Sequence, residues 1–408
     1  MSSDGLNKTT ITGSFIVFLL LFIMPINRIS LDVGFRLIPI YVLLPFLLIP
    51  LIWKKGIKVT AFTSIEKTIF IFYLYASITA LYSSHPDGSL RFILGISLVT
   101  ITYVIVRYHI LLNLESLEKM ILLSGKLFII CSLLNYTLGL SVMNIQAEHM
   151  DFFGVTIEKG LPRMIGLNND PNICAFACLI FFFFLIFKSG FQNKLFAGIS
   201  LFCILATLSR GGGIALVLGL LSLILIVSGR KKIDFIFWIV GISFVLSILF
   251  FYNYEVLRSF MEKRINGLET GGGRFEIWKN AFIAFNSKPI LGYGIFTFRD
   301  VMGDAFNDER FAHNTYLEVL LETGVLGLAL YLLCLTFVLF SSFKQARKYP
   351  ECRFLFPCNI AIFVAMFGLS MYLNLVFWYL LLLNSLYIKL IQYKKISCVN
   401  SGFLKVKA

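Results

Sequence analysis

Charged residues are scarce in this sequence: Asp, Glu, Lys and Arg make up only 14% of its 408 positions. An ordinary soluble domain is roughly a quarter charged. Histidine occurs four times, and the eight cysteines include no Cys-x-x-Cys pair. These shortages exclude a soluble enzyme, a disulfide-stapled secreted module and a zinc-ribbon framework. A disordered chain is excluded as well, because 58% of the residues are hydrophobic.

The hydrophobic residues are gathered in about twelve apolar runs, most of them close to the length of a membrane-spanning helix of about 20 residues. We therefore expect an all-α integral membrane protein with about twelve transmembrane helices, in which residues 1–408 form a single polytopic domain. The first run has no small-residue cleavage site, which favours a retained span over a signal peptide. The runs lie approximately at 12–26, 37–53, 67–83, 90–106, 119–142, 172–187, 194–208, 212–228, 233–252, 315–341, 354–372 and 374–392.

The net charge of +14 reflects membrane orientation and not a nucleic-acid partner. Lys and Arg are concentrated in alternate connecting segments, such as the clusters Lys54-Lys55 and Arg230-Lys231-Lys232. The positive-inside rule then places both termini in the cytoplasm. It also predicts a long outer loop at 253–314, between helices nine and ten. The loop 143–171 and the segment 209–213 fall on the same outer side.

The outer segment Ser209-Arg210-Gly211-Gly212-Gly213 combines a cation with glycines at a predicted helix start. An arginine at the membrane boundary is costly unless it reaches the interface or meets an anion. Ser209 can cap the following helix, and the glycines let a ligand approach backbone N–H groups at its positive end. Arg210 is therefore either part of a phosphate or pyrophosphate site or an interfacial anchor beside a tight helix-packing turn.

A second glycine-flanked arginine, Arg274, opens a helix predicted at about 274–286 in the long outer loop. Aromatic residues recur there every three or four positions, which forms one helix face: Phe275, Trp278, Phe282 and Phe285. Because aromatic side chains favour the headgroup region, we expect an interfacial amphipathic helix on the outer leaflet. The alternative is an ordinary amphipathic lid with a solvated arginine.

His313 stands where the tenth apolar run enters the membrane. Histidine can accept a hydroxyl proton near neutral pH, so His313 is a candidate general base; alternatively it is a hydrogen-bonded boundary residue. Asn314, Glu318 and Glu322 follow at intervals of four and share one helix face. Carboxylates within a membrane need partners, which makes the two glutamates candidates for orienting His313 or an arginine.

The loop 143–171 ends in Asn168-Asn169-Asp170-Pro171-Asn172. Asp170 is the predicted N-cap of the next helix, and Pro171 suits its first turn. Asn172 is a candidate for binding sugar hydroxyls at the outer face. The sequence offers no acidic pair in the first outer loop and no cluster of His or Cys ligands. We therefore expect a metal-independent mechanism with no cofactor.

In this order, the fragments resemble the motifs shared by O-antigen ligases and Wzy-type O-antigen (polysaccharide) polymerases. The resemblance covers roughly residues 168–330. It implies a GT-C-like helical fold in the bacterial inner membrane and glycan transfer from undecaprenyl diphosphate at the periplasmic face. The motifs that carry it are Ser209-Arg210-Gly211-Gly212, Arg274-x-x-x-Trp278, Pro289-Ile290-Leu291-Gly292-Tyr293-Gly294, His313-Asn314-x-Tyr316-Leu317-Glu318 and Glu322-x-Gly324-x-x-Gly327.

The resemblance also implies a role for each candidate residue. Arg210 and Arg274 would bind the donor diphosphate and stabilise its developing charge. His313 would take the proton from the acceptor hydroxyl as this attacks the anomeric carbon, with inversion. The implied partners are an undecaprenyl-diphosphate-linked oligosaccharide, an acceptor glycolipid and membrane lipids, while binding of a chain-length-regulating copolymerase stays open. Supporting residues would be Asn314, Glu318, Glu322, Asn172 and Trp278.

Three functions stay open. A polymerase extends a lipid-linked repeat unit, whereas a ligase transfers the glycan to lipid A-core. The Asp170-Pro171-Asn172 motif resembles that of the polymerases more closely, so the resemblance makes polymerisation the first expectation and ligation the alternative. Family members that glycosylate protein often carry an extra soluble C-terminal domain, and the short basic tail of this sequence argues against that group. A transporter or flippase of lipid-linked sugars is the second alternative. It predicts mid-membrane charges and matched halves, but Lys126 is the clearest such charge and the halves show no duplication.

Overall fold

The computed structural model describes residues 3–32, 36–53, 61–143, 149–158, 161–227 and 274–405. Contacts between residues divide the chain into two compact units. The first unit comprises Met1–Thr68, Gly95–Ile214 and Leu373–Ala408. The second unit comprises Ile69–Leu94 and Ala215–Tyr372.

The described residues are mostly helical. The α-helices are α1 (Ser3–Ile23), α2 (Pro39–Trp53), α3 (Ser64–Thr79), α4 (Pro86–Leu111), α5 (Leu117–Val142), α6 (Pro171–Ile186), α7 (Phe191–Ala206), α8 (Arg210–Ile226), α9 (Arg274–Phe285), α10 (Phe298–Phe306), α11 (Thr315–Lys348), α12 (Leu355–Ala365) and α13 (Leu375–Lys405).

Four of the described helical segments are long and apolar enough to cross a membrane: Ser64–Tyr82, Pro86–Leu111, Thr315–Lys348 and Leu375–Ile396. Apolar helices of this length fit a membrane protein. The predicted run at 233–252 lies outside the described residues, and each of the other predicted runs overlaps a helix. Twelve crossings and a GT-C-like arrangement remain predictions.

The prediction of a purely helical chain missed two small antiparallel sheets. One pairs β1 (Leu31–Asp32) with β2 (Arg36–Leu37). The other has the order β3-β4-β5 and occupies the loop that precedes α6, with strands His149–Phe152, Val155–Glu158 and Leu161–Met164. In β4 the side chains alternate between buried and half-buried, as a strand with one covered face requires. The helical period used to scan the sequence does not detect such short alternating segments.

Asp170 caps α6 as predicted, because its carboxylate accepts the backbone N–H groups of Asn172 and Ile173 at 2.7 and 3.2 Å. Pro171 occupies the first helical position. Helix α6 is buried from Cys174 to Leu185, as expected for a helix that is apolar all round.

Helix α9 is present in the predicted range, but a different face is buried. Ile277, Ala281 and Ala284 pack into a core cluster with residues of α10 and α11. Phe275 and Phe282 are 55% and 53% exposed, whereas Trp278 and Phe285 pack partly against the cluster. The aromatic residues therefore divide between two faces of the helix, and its position at a membrane surface remains a prediction.

Helix α11 is interrupted at Gly324, where φ is 68° and ψ is −172°. Only glycine adopts this conformation readily. A Cβ at Gly324 would lie 2.1 Å from the carbonyl oxygen of Ile290, and one at Gly292 would lie 2.5 Å from that of Glu322. The two glycines allow the backbones of α11 and of the turn Pro289–Gly294 to touch.

Backbone hydrogen bonds join this turn to α11 on both sides of the interruption. An interrupted helix leaves N–H and C=O groups without their helical partners, and these groups need replacements. The replacements, donor first, are Tyr293 N to Leu321 O at 3.1 Å, Gly294 N to Glu322 O at 2.8 Å and Val325 N to Pro289 O at 2.9 Å. The motif at Pro289–Gly294 and the motif that begins at Glu322 are therefore parts of one hydrogen-bonded structure.

Candidate active site

His313 is exposed and lies two residues before α11, in the second unit, between the buried residues Ala312 and Asn314. Its φ of 48° is in the left-handed region, which non-glycine residues seldom adopt. Asn314 follows as the N-cap of α11, and its side-chain oxygen accepts the N–H groups of Tyr316 and Leu317 at 3.1 and 3.2 Å. The cap satisfies the first backbone N–H donors of α11 and places His313 just before the N-terminus of the helix.

Two of the predicted supporting residues contact the backbone of this turn. The indole N–H of Trp278 donates to the Ala312 carbonyl at 2.9 Å. The carboxylate of Glu318, which is 1% exposed, faces the backbone of Ala312 and His313. It also accepts a hydrogen bond from the Ser370 hydroxyl, with 2.5 Å between Oγ and Oε1. Trp278 and Glu318 therefore help to hold the conformation that presents His313.

Glu322 is buried one helical turn further along α11. One carboxylate oxygen accepts the N–H of Phe298 at 3.2 Å, and the other accepts the Tyr372 hydroxyl at 3.3 Å. Because Phe298 is the first residue of α10, the carboxylate sits at the positive end of that helix. These contacts show Glu322 anchoring α10 and Tyr372 within the second unit.

Arg274 is the first residue of α9 and is half-buried. Its Nη1 donates to the carbonyl of Gly368 at 3.2 Å. Gly368 belongs to the turn Met366–Tyr372, which joins α12 to α13. The structure thus brings Arg274, Trp278, His313, Asn314, Glu318 and Glu322 together in the second unit.

The Met366–Tyr372 turn was not singled out by the sequence. Besides Gly368 and Ser370, it binds Thr315 at the start of α11: the Thr315 N–H donates to the carbonyls of Met366 and Leu369 at 2.9 and 3.1 Å. The Met371 N–H in turn donates to the Thr315 hydroxyl at 2.9 Å. Most of these bonds use backbone atoms of the turn, so residue types alone give little sign of them.

Arg210 and Asn172 belong to the first unit. Ser209 caps α8 as predicted, because its hydroxyl oxygen accepts the Gly212 N–H at 2.9 Å. The same hydroxyl donates to the side-chain oxygen of Asn172 at 2.6 Å. Arg210 begins α8 and is exposed, so its guanidinium is accessible beside the positive end of a helix.

Arg163 is a further residue that the sequence did not single out. It lies on β5, is 7% exposed, and forms an ion pair with Glu158. Its Nε also donates to the carbonyl of Thr207 at 3.0 Å. Thr207 directly precedes Leu208, whose φ of 51° turns the chain towards Ser209 and Arg210. Arg163 falls in the predicted loop 143–171 and has no adjacent glycine. The pattern that indicated Arg210 and Arg274 therefore does not indicate Arg163.

Charged residues just before the His313 turn form ion pairs: Arg310 pairs with Asp308 and Arg299 pairs with Glu309. Hydrogen bonds from the Arg310 guanidinium hold the pKa of Asp308 below its usual range. In the part of the chain that the structure describes, no group of three or more His, Cys, Asp or Glu side chains has the geometry to hold a metal ion.

The fold and these residues define a membrane protein in which an exposed histidine, His313, precedes a helix with two buried carboxylates, Glu318 and Glu322. Residues 195–332 match the family model described as O-antigen ligase. The matched segment contains Arg210, Arg274, Trp278, His313 and the two glutamates, and it excludes Asn172. The family resemblance expected from the motifs is therefore confirmed for this part of the chain.

A curated relative is the ComP-specific O-oligosaccharyltransferase of Acinetobacter baylyi (strain ATCC 33305 / BD413 / ADP1). It is 28% identical to this chain over 216 residues, which cover 48% of this chain and 38% of the relative. The match thus spans well under half of the relative's length. Both comparisons point to the ligase and oligosaccharyltransferase side of the expected family and favour ligation over polymerisation.

Proposed function

We propose that the protein is a membrane glycosyltransferase that moves a glycan from an undecaprenyl-diphosphate-linked donor to an acceptor hydroxyl. The observation that carries this proposal is the exposed His313, held on a left-handed turn by Trp278 and by the buried Glu318. A non-glycine residue in this conformation is strained, and such strain concentrates at functional sites. The O-antigen ligase match over the same residues supports the assignment.

In the proposed reaction, the His313 imidazole accepts the proton of the acceptor hydroxyl, and the oxygen attacks the anomeric carbon of the donor. The bond from that carbon to the diphosphate oxygen breaks, and undecaprenyl diphosphate leaves with its electron pair. Arg274 in the second unit and Arg210 in the first unit are each proposed as ligands of the leaving diphosphate. Attack from the opposite side inverts the anomeric configuration. The donor carries its own leaving group, so neither a metal nor a cofactor is required.

For the acceptor, we propose ligation and not polymerisation. The Asp170-Pro171-Asn172 motif that favoured a polymerase has a sufficient structural role, because Asp170 caps α6. The O-antigen ligase match and the oligosaccharyltransferase relative both support transfer of a finished glycan. We propose that the acceptor is lipid A-core. The products of the experiment below would reveal whether the acceptor is instead a lipid-linked repeat unit or a protein hydroxyl.

The proposed location is the bacterial inner membrane, with both termini in the cytoplasm and His313 at the periplasmic face. The excess of Lys and Arg on alternate segments supports this orientation. The proposed partners are the lipid-linked donor, the acceptor glycolipid and the surrounding lipids. Under the ligase assignment, no chain-length-regulating copolymerase is needed at this site.

The test is glycan profiling of a deletion strain that carries either the wild-type gene or His313→Ala. We expect the wild type to restore surface glycan and His313→Ala to restore none, because the acceptor hydroxyl would lack its base. His85→Ala is the matched control, since His85 pairs with Asp304 at 3.3 Å and has no proposed role in transfer. Membrane levels of the variants are compared by immunoblot.

The accumulated products identify the acceptor. Bare lipid A-core with long glycans retained on undecaprenyl diphosphate is the result expected for a ligase. Single repeat units without a ladder would instead identify a polymerase, and normal surface glycan with unmodified target proteins would identify a protein acceptor. Full activity of His313→Ala would rule out the proposed base. Loss of surface glycan in the deletion strain, with single lipid-linked repeat units retained at the cytoplasmic face, would bring the transporter alternative forward.

A further inference from the structure

The Met366–Tyr372 turn hydrogen-bonds to both helices that carry the candidate site, α9 and α11. It binds Arg274 through the Gly368 carbonyl, Thr315 through several backbone atoms, and both glutamates through the Ser370 and Tyr372 hydroxyls. We propose that this turn is a positioning element of the transfer site, in which Ser370, acting through Glu318, fixes the conformation of His313. The inference rests on the proposed function.

The link from Ser370 to His313 is short. The Ser370 hydroxyl donates to Oε1 of Glu318 at 2.5 Å, and the same carboxylate faces the backbone of Ala312 and His313. Glu318 is 1% exposed, so little water is available to replace the serine donor. Without the hydroxyl, the carboxylate loses a hydrogen bond that sets its orientation, and its contact with the His313 turn weakens.

The Met366–Tyr372 turn also constrains the Arg274 side chain. Arg274 gives one N–H of its guanidinium to Gly368, which fixes the side chain relative to the same turn that contacts Glu318. A guanidinium has five N–H donors in a planar fork, a geometry suited to binding phosphate oxygens. The proposed diphosphate ligand and the proposed base are therefore positioned from one segment of the chain.

This arrangement acts on the rate of transfer more than on binding. Transfer requires the base and the leaving-group ligand to be aligned with the reacting atoms, and displacement by about 1 Å costs up to about 100-fold. Donor binding depends mainly on the diphosphate and on the polyprenyl chain, which Ser370 does not contact in this proposal. A substitution at Ser370 should thus change kcat and leave KM nearly constant.

The experiment uses the full-length protein reconstituted in liposomes, with lipid-linked glycan extracted from the deletion strain as donor and lipid A-core as acceptor. Release of undecaprenyl diphosphate gives kcat and the KM for donor. We expect Ser370→Ala to lower kcat about tenfold with less than a twofold change in KM. Ser370→Thr keeps the hydroxyl and should retain most of the wild-type kcat.

Ser287→Ala is the matched control, because Ser287 is exposed after α9, and it should match the wild type. If Ser370→Ala yields too little folded protein, Ser370→Cys supplies a side chain of similar size with a weaker donor. As a readout independent of turnover, diethyl pyrocarbonate should modify His313 faster in Ser370→Ala than in the wild type.

The outcomes separate the two proposals. An unchanged kcat in Ser370→Ala, or an equal loss in Ser370→Ala and Ser370→Thr, overturns the positioning role while wild-type transfer still supports the function. No transfer by the wild-type protein with any of the three acceptor classes overturns the proposed function, and the positioning role with it.

Discussion

Among the described non-glycine residues with left-handed backbone, two lie at or next to a candidate site residue, one in each unit. His313 is one, and Leu208, two positions before Arg210, is the other. Such residues persist only where surrounding contacts outweigh the strain. At His313 these contacts come from Trp278 and Glu318. At Leu208 the adjacent Thr207 carbonyl is held by Arg163.

We predict that Arg163 positions the Arg210 turn. Arg163→Met removes the donor to the Thr207 carbonyl and should lower transfer about tenfold, because the chain before Arg210 loses its constraint. Arg28→Met is the control: Arg28 also pairs with a carboxylate of the same sheet, Asp151, at 2.9 Å. Transfer is measured with the liposome assay. Equal losses in both variants would mean that Arg163 serves only the stability of the sheet.

At the scale of single elements, the interruption of α11 requires a glycine within the helix, Gly324, and another in the turn that packs against it, Gly292. Gly324 and Gly292 both have positive φ, and at each the neighbouring backbone occupies the space of a Cβ. The exchange of hydrogen bonds between the Pro289–Gly294 turn and α11 depends on this close approach. The same exchange places Glu322 beside the start of α10.

Gly324→Ala is expected to destabilise the protein. The backbone conformation alone costs about 1–3 kcal/mol for a residue with a Cβ, and the overlap at 2.1 Å with Ile290 adds to it. Gly198→Ala is the control, since Gly198 lies in α7 with nothing within 4 Å of the added Cβ. Thermal unfolding in detergent should show a lower midpoint for Gly324→Ala alone. Equal midpoints would contradict the close approach.

The sequence predicts the elements better than it predicts how the site is held. The cap at Asp170, the cap at Ser209 and the helix opened by Arg274 follow from local rules, because their partners lie within a few positions. Ser370 and Glu318 are separated by 52 positions, and Gly368 contributes a carbonyl that any residue carries. Local patterns contain no signal for such contacts.

At the scale of the whole molecule, the apolar helices and the distribution of Lys and Arg give a topology that can be tested. It places the Met366–Tyr372 turn on the same outer side as His313 and Arg274. The hydrogen bonds within the second unit agree with this placement, because they join all three parts of the chain. The number of crossings is a separate prediction that these bonds leave untested.

We predict that a fluorescent protein fused after Ala408 will fluoresce, because the proposed topology puts the C-terminus in the cytoplasm. Alkaline phosphatase fused after Asn307, just before the His313 turn, should be active, because the proposed topology puts this segment in the periplasm. Phosphatase fused after Ala408 is the control and should be inactive. Active phosphatase at the C-terminus would contradict the proposed orientation.

The exchange between the Pro289–Gly294 turn and α11 also limits where the chain can change length. A single residue inserted within the turn or within Leu321–Val325 would shift every donor against its acceptor and move Glu322 away from α10. The segment 307–310, which is exposed except at the half-buried Asp308, lies between these two segments. Insertions and deletions among homologous proteins should therefore accumulate at 307–310. The turn Pro289–Gly294 and the segment Leu321–Val325 should keep a constant length even where their other residues differ.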